Sequence, residues 1–441
     1  MALQLDALMS STMNEGCKGL PAGAAGIRLN EVAEHHWHLL NEDLPLPAAV
    51  IKQSALQHNA QWMRDFLQQS DVLLAPHGKT TMCPQLFNLQ LEHGAWGITV
   101  ATVQQLRVCR RYGVSRILMA NQLVGADDIR YIAAELARDP DFEFYCLVDS
   151  IAGVQRLQHA LSVSGPGVTL RVLLEVGISG GRTGCRTTGQ ALDVAAAVVA
   201  QPQLRLCGVE CYEGGLVSDD AGGDASRVEQ LIQRVVEVYR QCRERVLFDS
   251  EQPVILSAGG SAYFDIVASI FKNTAFGDSE RSGVKSIVRS GCYLTHDSAF
   301  YQRLFERVEA RCNSGTQLSL PKTGGLKAAL EIWAYVQSTP EPGLAILNLG
   351  KRDISHDIDL PVVEQWFRPG AMAAPQKVSA MTVTALNDQH AYLSVPASAS
   401  LRVGDMVALG ISHPCTTFDK WRLLWMVDDN YQVVAGLKTC F

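Results

Sequence analysis

Near the end of the chain, in GISHPCTTFDKW (Gly410 to Trp421), His413 and Cys415 stand two residues apart around a proline. In an extended stretch both side chains point to one side, and proline favours extended backbone in the residue before it. A borderline-soft imidazole and a soft thiolate aimed at one point suit half of a zinc site. The pair alone leaves a second reading open, a turn at a strand edge with a buried thiol, because zinc ordinarily takes three or four protein ligands. Two other stretches could do chemistry. PHGKTT offers His77, Lys79 and Thr80, and SAGGS offers Ser257, Gly259, Gly260 and Ser261 directly before a helical pattern, AYFDIVASIF.

These residues need elements to hold them. Short apolar runs, many of them β-branched, occupy 71–76, 97–100, 116–121, 142–148, 168–178, 204–212, 253–259 and 284–291. Amphipathic stretches lie between several of them, at 102–113, 126–139, 189–201 and 227–246. Eight strands alternating with helices are the count of a (β/α)8 TIM-like barrel, an α/β fold. A doubly wound open sheet competes, with fewer strands as a rule. Beyond residue 310 the runs are strand-like, broken by Gly, Pro and Asn-Asp turns, which indicates a C-terminal antiparallel β domain. The expected division is an N-terminal arm over 1–45 that joins the β domain, a barrel over 46–309, and a β domain over 310–441 carrying the His-Pro-Cys segment. The first forty residues read as a loose arm.

A barrel of this kind works at the C-terminal ends of its strands. There the sequence puts Lys79 after strand one, Arg182 after strand five and Tyr212 after strand six. SAGGS follows strand seven, and RSGCY, with Arg289, Gly291 and Tyr293, follows strand eight. Glycines let backbone approach an anion, and the helix that follows presents unpaired N–H groups and a positive dipole end. The loops after strands seven and eight are the usual phosphate site of this architecture. A phosphate there, with Lys79 across the mouth, suits a phosphorylated aldehyde held as a Schiff base, which points to pyridoxal 5′-phosphate. A lysine at a partly buried strand end can act as nucleophile and base.

The bulk numbers narrow the class. The 441 residues are 47% hydrophobic and 19% charged, with a formal net charge of −7 and no basic block. Nucleic acid is therefore not an expected partner. No run approaches the ~18 apolar residues of a membrane span. Twelve cysteines without framework spacing fit reduced thiols and a cytoplasmic location. The opening MALQLDALMSSTMNEG lacks the basic segment of a secretory signal.

PHGKTTMCPQLF, RTG, YEGG, SAGGS, RSGCY and SHPCTTFDKW occur in this order. From about residue 45 onward the chain resembles the pyridoxal-phosphate enzymes of the alanine-racemase-like barrel fold. It is most similar to the branch of D-serine dehydratases, D-threo-3-hydroxyaspartate dehydratases and D-threonine aldolases. The resemblance implies that Lys79 bonds the cofactor, with His77 beside it. Arg182 would lie near the phenolate side, and Tyr212 near the ring or phosphate. Ser257, Gly259, Gly260 and Gly291 would line the phosphate, with Tyr293 nearby, and Arg289 would face the pyridine nitrogen. It also implies a divalent metal, typically zinc, on His413 and Cys415; the aldolase relatives carry His-x-Asp there. The implied activity is removal of water from a β-hydroxy D-amino acid such as D-serine, giving a 2-oxo acid and ammonia, in a homodimer. The alternatives are a D-threonine-type aldolase giving glycine and an aldehyde, or a non-catalytic pyridoxal-phosphate-binding protein.

Overall fold

A computed structural model describes residues 3–274, 283–314, 318–378, 380–396 and 399–441. Eight parallel strands follow one another in space. Leu73–Leu74 is succeeded by Val284–Val288, Val254–Ala258, Leu204–Cys211, Leu170–Val176, Glu143–Val148, Arg116–Gln122 and Ile98–Val100. The two ends meet, because His77 bridges Thr99 in parallel and the Thr99 N–H donates to the Pro76 carbonyl at 2.9 Å. The sheet is thus a closed (β/α)8 barrel, and the open-sheet alternative is set aside.

The strands are buried on both faces. Leu118, Leu147, Leu173, Ile255 and Ile287 fill the interior, while helices cover the outside. Double burial explains why the strands read as unbroken apolar runs rather than as alternation. Thr102, Ser150 and Thr187 each end a βα loop as a helix N-cap, accepting from the N–H groups of Gln105, Gly153 and Gln190 at 3.3, 3.2 and 3.2 Å. Such a cap contributes about 1 kcal/mol, and it also fixes where each helix begins and so how long each loop is.

A second sheet of ten strands forms the β domain. Its main run is Gln376–Lys377, Val362–Phe367, Met406–Gly410, Leu330–Glu341, Ala48–Lys52, Leu423–Val427 and Val433–Lys438. Neighbours are antiparallel except Ala48–Lys52 and Leu423–Val427, which run parallel with Val50 opposite Trp425.

Three features differ from the sequence reading. Ala48–Lys52 lies inside the β sheet, not in the barrel that the sequence begins at residue 46. Ala49 and Ile51 join the core shared with the barrel while Ala48 and Val50 face the N-terminal arm. A strand buried on both faces carries no pattern that names its sheet. Second, the helix Phe300–Asn313 runs past residue 309 and belongs to the barrel, with Phe305 edge-on to Trp62 at 5.4 Å. Third, the arm is not loose, since Leu8, Met13, Leu29, Val32 and Leu39 are buried with Trp333 and Trp425. Among the described residues no helix is long and apolar enough to cross a membrane.

Candidate active site

Lys79 sits on a short 3-10 turn, Gly78–Thr80, at the C-terminal end of the first barrel strand. Gly78 is required there, because a Cβ would meet Ile98 Cγ2 at 2.8 Å and the Phe87 ring at 3.1 Å. The turn closes at Met82, whose φ of 41° lies in the left-handed region. Its backbone is pinned on both sides: the Met82 N–H donates to the Gly78 carbonyl at 2.9 Å, and the Cys440 N–H donates to the Met82 carbonyl at 2.8 Å. The C-terminal tail thereby braces the lysine loop. The Lys79 side chain is exposed toward a cavity of about 320 Å³.

Behind the cavity lies a buried polar layer. Arg289 donates to Ser257 Oγ at 2.6 Å and to the Cys211 carbonyl at 2.9 Å, and its Nη2 is 2.7 Å from Glu210 Oε2. Neither Glu210 oxygen receives an aligned hydrogen bond, so this contact is one of proximity alone. Burial pushes the Glu210 carboxyl up to about 8, with Arg289 pulling the other way. Glu213, also fully buried, accepts from the Gly259 N–H at 3.0 Å and holds the glycine turn from below. Burial raises its carboxyl, and its second oxygen has no partner. Burial likewise drives the His77 imidazole well below its ordinary range.

The opposite wall comes from the β domain. The segment around His413 and Cys415 is not extended: Pro414 has φ −57° and ψ −44°, and Cys415 opens the helical turn Cys415–Phe418. Proline fits the start of a helix, where its missing N–H is not needed, so Pro414 leads into a helical turn instead of continuing an extended run. His413 Nδ1 is 2.6 Å from Asp357 Oδ2, and Thr416 Oγ1 donates to Asp357 Oδ1 at 2.6 Å. Burial would lower the His413 imidazole, but its bonds to Cys415 and Asp357 prevail and raise it to about 9. Cys415 Sγ lies 3.8 Å from Cys292 Sγ and 3.3 Å from Thr80 Oγ1. The bond to Cys292, together with His413 and against burial, holds the Cys415 thiol well below its usual range. Among the described residues no group of three His, Cys, Asp or Glu side chains is gathered to hold a metal ion.

One cavity joins these parts. His77, Lys79, Tyr212, Gly259, Gly260, Arg289, Gly291, His413 and Cys415 all border it. Ser257, Arg182 and Tyr293 do not. Ser257 donates to the Ile287 carbonyl at 2.9 Å and supports Arg289. Arg182 stacks over the Tyr212 ring at 4.8 Å, and the Tyr293 hydroxyl lies 3.4 Å from Gln90 Nε2. Sequence reasoning left out Glu210, Glu213, Cys292, Asp357 and Tyr301, the last of which also borders the cavity. Glu213 stood in the quoted YEGG and Cys292 in RSGCY, so adjacency could have flagged both. Asp357, 56 residues from His413, carried no local signal. A larger surface concavity of about 580 Å³ lies by Leu73, His93, Lys272 and Lys285, where the strands begin, at the far end of the barrel from Lys79.

Residues 51–267 match the alanine racemase N-terminal domain, and residues 329–427 match a putative serine dehydratase domain. The chain therefore combines an alanine-racemase-type barrel with a serine-dehydratase-type β domain. It is 24% identical over 375 residues to a D-threonine aldolase of Arthrobacter sp, covering 85% of this chain and 86% of the relative. It is also 24% identical over 386 residues to the D-threo-3-hydroxyaspartate dehydratase of Delftia sp. (strain HT23), covering 85% and 92%. In fold it is similar to a mutant D-threo-3-hydroxyaspartate dehydratase in the metal-free form. That match has a TM-score of 0.67 at 21% identity, covering 92% of this chain and 99% of the other.

Proposed function

We propose that the protein is a pyridoxal-phosphate- and zinc-dependent lyase that removes water from a β-hydroxy D-amino acid such as D-serine, giving a 2-oxo acid and ammonia. One observation carries this reading: Lys79 and the His413–Cys415 pair border a single cavity. The donor set suits a phosphorylated aldehyde, combining a lysine amine, the hydroxyls of Thr80 and Ser261, and glycine backbone at two strand ends. Pyridoxal phosphate would be held by Lys79 at its aldehyde carbon and by the Gly260, Ser261 and Gly291 loops at its phosphate, and would supply an electron sink for charge left at Cα. A zinc-like ion on His413 and Cys415 would supply Lewis acidity at the departing hydroxyl oxygen.

The chain's own groups do the rest. Lys79 Nζ takes the proton from the substrate Cα. It approaches from one wall only, which supports selection of one enantiomer. Asp357 occupies His413 Nδ1 and so leaves Nε2 for the ion, a carboxylate–histidine arrangement common around metals. Cys415, a soft ligand, favours zinc over harder ions. The test is a panel of D-serine, D-threonine and D-3-hydroxyaspartate scored for product. A 2-oxo acid with ammonia is expected. Glycine with an aldehyde as the main product would replace this reading with the aldolase one, which the similarity to D-threonine aldolase favours.

A further inference from the structure

Two cysteines meet where the barrel wall and the β-domain wall of the cavity join. Cys292 lies in the RSGCY turn after the last barrel strand, and Cys415 starts the helical turn after Pro414. They are 123 residues apart in the chain, yet their sulfurs are 3.8 Å apart, and both border the cavity. A disulfide needs a sulfur–sulfur distance of about 2.05 Å, so the pair must close by roughly 1.8 Å. Cys415 stands on a four-residue helical turn rather than within a strand, so closing the gap calls for side-chain rotation with a shift of that turn and breaks no sheet ladder. The two thiols also differ in access. Cys415 is partly exposed, whereas Cys292 is 4% exposed. A small oxidant entering the cavity reaches Cys415 first, with Cys292 behind it.

We propose that Cys292 and Cys415 form a reversible disulfide when hydrogen peroxide enters the cavity, and that this bond disables the metal pair by consuming the Cys415 sulfur. The consequence rests on the metal reading above; the disulfide itself does not. The Cys415 sulfur attacks one peroxide oxygen, the O–O bond breaks, and Cys415 becomes a sulfenic acid as the other oxygen leaves as water. The Cys292 sulfur then attacks the Cys415 sulfur, the S–S bond forms and the S–O bond breaks. The departing hydroxide takes the Cys292 proton and leaves as a second water. In total two thiols lose two electrons and two protons, and one peroxide becomes two waters. A thiol reductant reverses the bond by exchange. A metal held by Cys415 ties up the attacking lone pair and protects the site.

The experiment uses the full chain as purified with its cofactor, with one half depleted by a chelator and one half loaded with zinc. Each is exposed to hydrogen peroxide, its remaining thiols are alkylated, and it is digested without reduction for mass spectrometry. The expected product is a peptide pair joining Cys292 to Cys415, lost completely on adding dithiothreitol and formed at least about tenfold more slowly with zinc bound. The oxidised protein should no longer bind zinc. In Cys292→Ser, dimedone should label Cys415 and no cross-link should appear. Oxidation of Cys415 to the sulfinic acid without a cross-link would overturn the proposal, as would inertness of both thiols. A cross-link that forms equally fast with zinc, in protein that never binds zinc, would keep the disulfide but overturn its consequence along with the metal pair.

Discussion

The two walls of the cavity are built differently. The barrel wall is a set of strand ends whose polar groups are locked by neighbouring strands: Arg289 by Ser257 and Cys211, Gly259 by Glu213. The β-domain wall is two loops, with Asp357 from one holding His413 from the other. The first wall is positioned by the sheet itself, so changes to its buried groups should be failures of folding as well as chemistry, with Lys79, exposed at its rim, as the exception. The second is held by loop-to-loop hydrogen bonds, buried or part-buried where the Ser412 and His413 N–H groups donate to Ser355 Oγ and exposed where Asp357 meets the His413 ring, so only the exposed part should be separable from the fold.

Lys79→Ala should be the most damaging change for activity and among the mildest for stability, because the side chain is exposed. Turnover should fall by at least about 10³-fold, with no covalent cofactor trapped by borohydride. Covalent trapping that persists in the variant would remove Lys79 from its role. On the other wall, Cys415→Ala should lose the bound metal and about 10²-fold or more in turnover, while borohydride still fixes the cofactor to Lys79. Full activity in metal-free protein would return His413 and Cys415 to a structural part. Asp357→Asn probes the same wall more gently. Metal affinity should weaken by about 10- to 100-fold with the melting temperature unchanged, and an unchanged affinity would show that the loop needs no carboxylate.

The two glycines beside Glu213 sharpen the contrast within the barrel wall. A Cβ on Gly259 would overlap the Arg289 backbone nitrogen, whereas one on Gly260 meets Glu213 Oε1 at 3.1 Å. Gly259→Ala should therefore cost about 3 kcal/mol or more, at the upper end for overpacking, and Gly260→Ala well under that. Chemical denaturation of the two variants makes the comparison, and equal losses would argue against it. The last effect is spread over several pH units. Folded Glu210 keeps its proton up to about 8, while its ordinary value is 4.5. Between those limits the folded state binds more protons, so stability falls as pH rises, by up to about 1.4 kcal/mol per unit. The contribution is fully present below 4.5 and lost above about 8. Glu210→Gln should flatten that part of the profile. Parallel wild-type and variant curves would mean that Arg289 keeps Glu210 ionised throughout.

The amino-acid sequence alone determined the parts that repeat or that are local. Eight apolar runs spaced by amphipathic stretches specify the barrel, because strands buried on both faces and helices buried on one leave different periods in the chain. The ends of those runs mark Lys79, the Gly259–Gly260 turn and Arg289, because this architecture puts strand ends at one mouth. The sequence also joined His413 to Cys415, although it drew them along an extended chain where Pro414 instead starts a helical turn. Tertiary structure decided everything that depends on distant residues meeting. It placed Ala48–Lys52 in the β sheet, since a strand with two apolar faces has no preference between sheets that its own residues could express. It turned Ser257 away from the cavity to support Arg289, brought Asp357 to His413, and set Cys292 against Cys415. Those contacts follow from how a barrel and a sheet pack around one cavity, and a single strand or turn carries no trace of the partner it will meet.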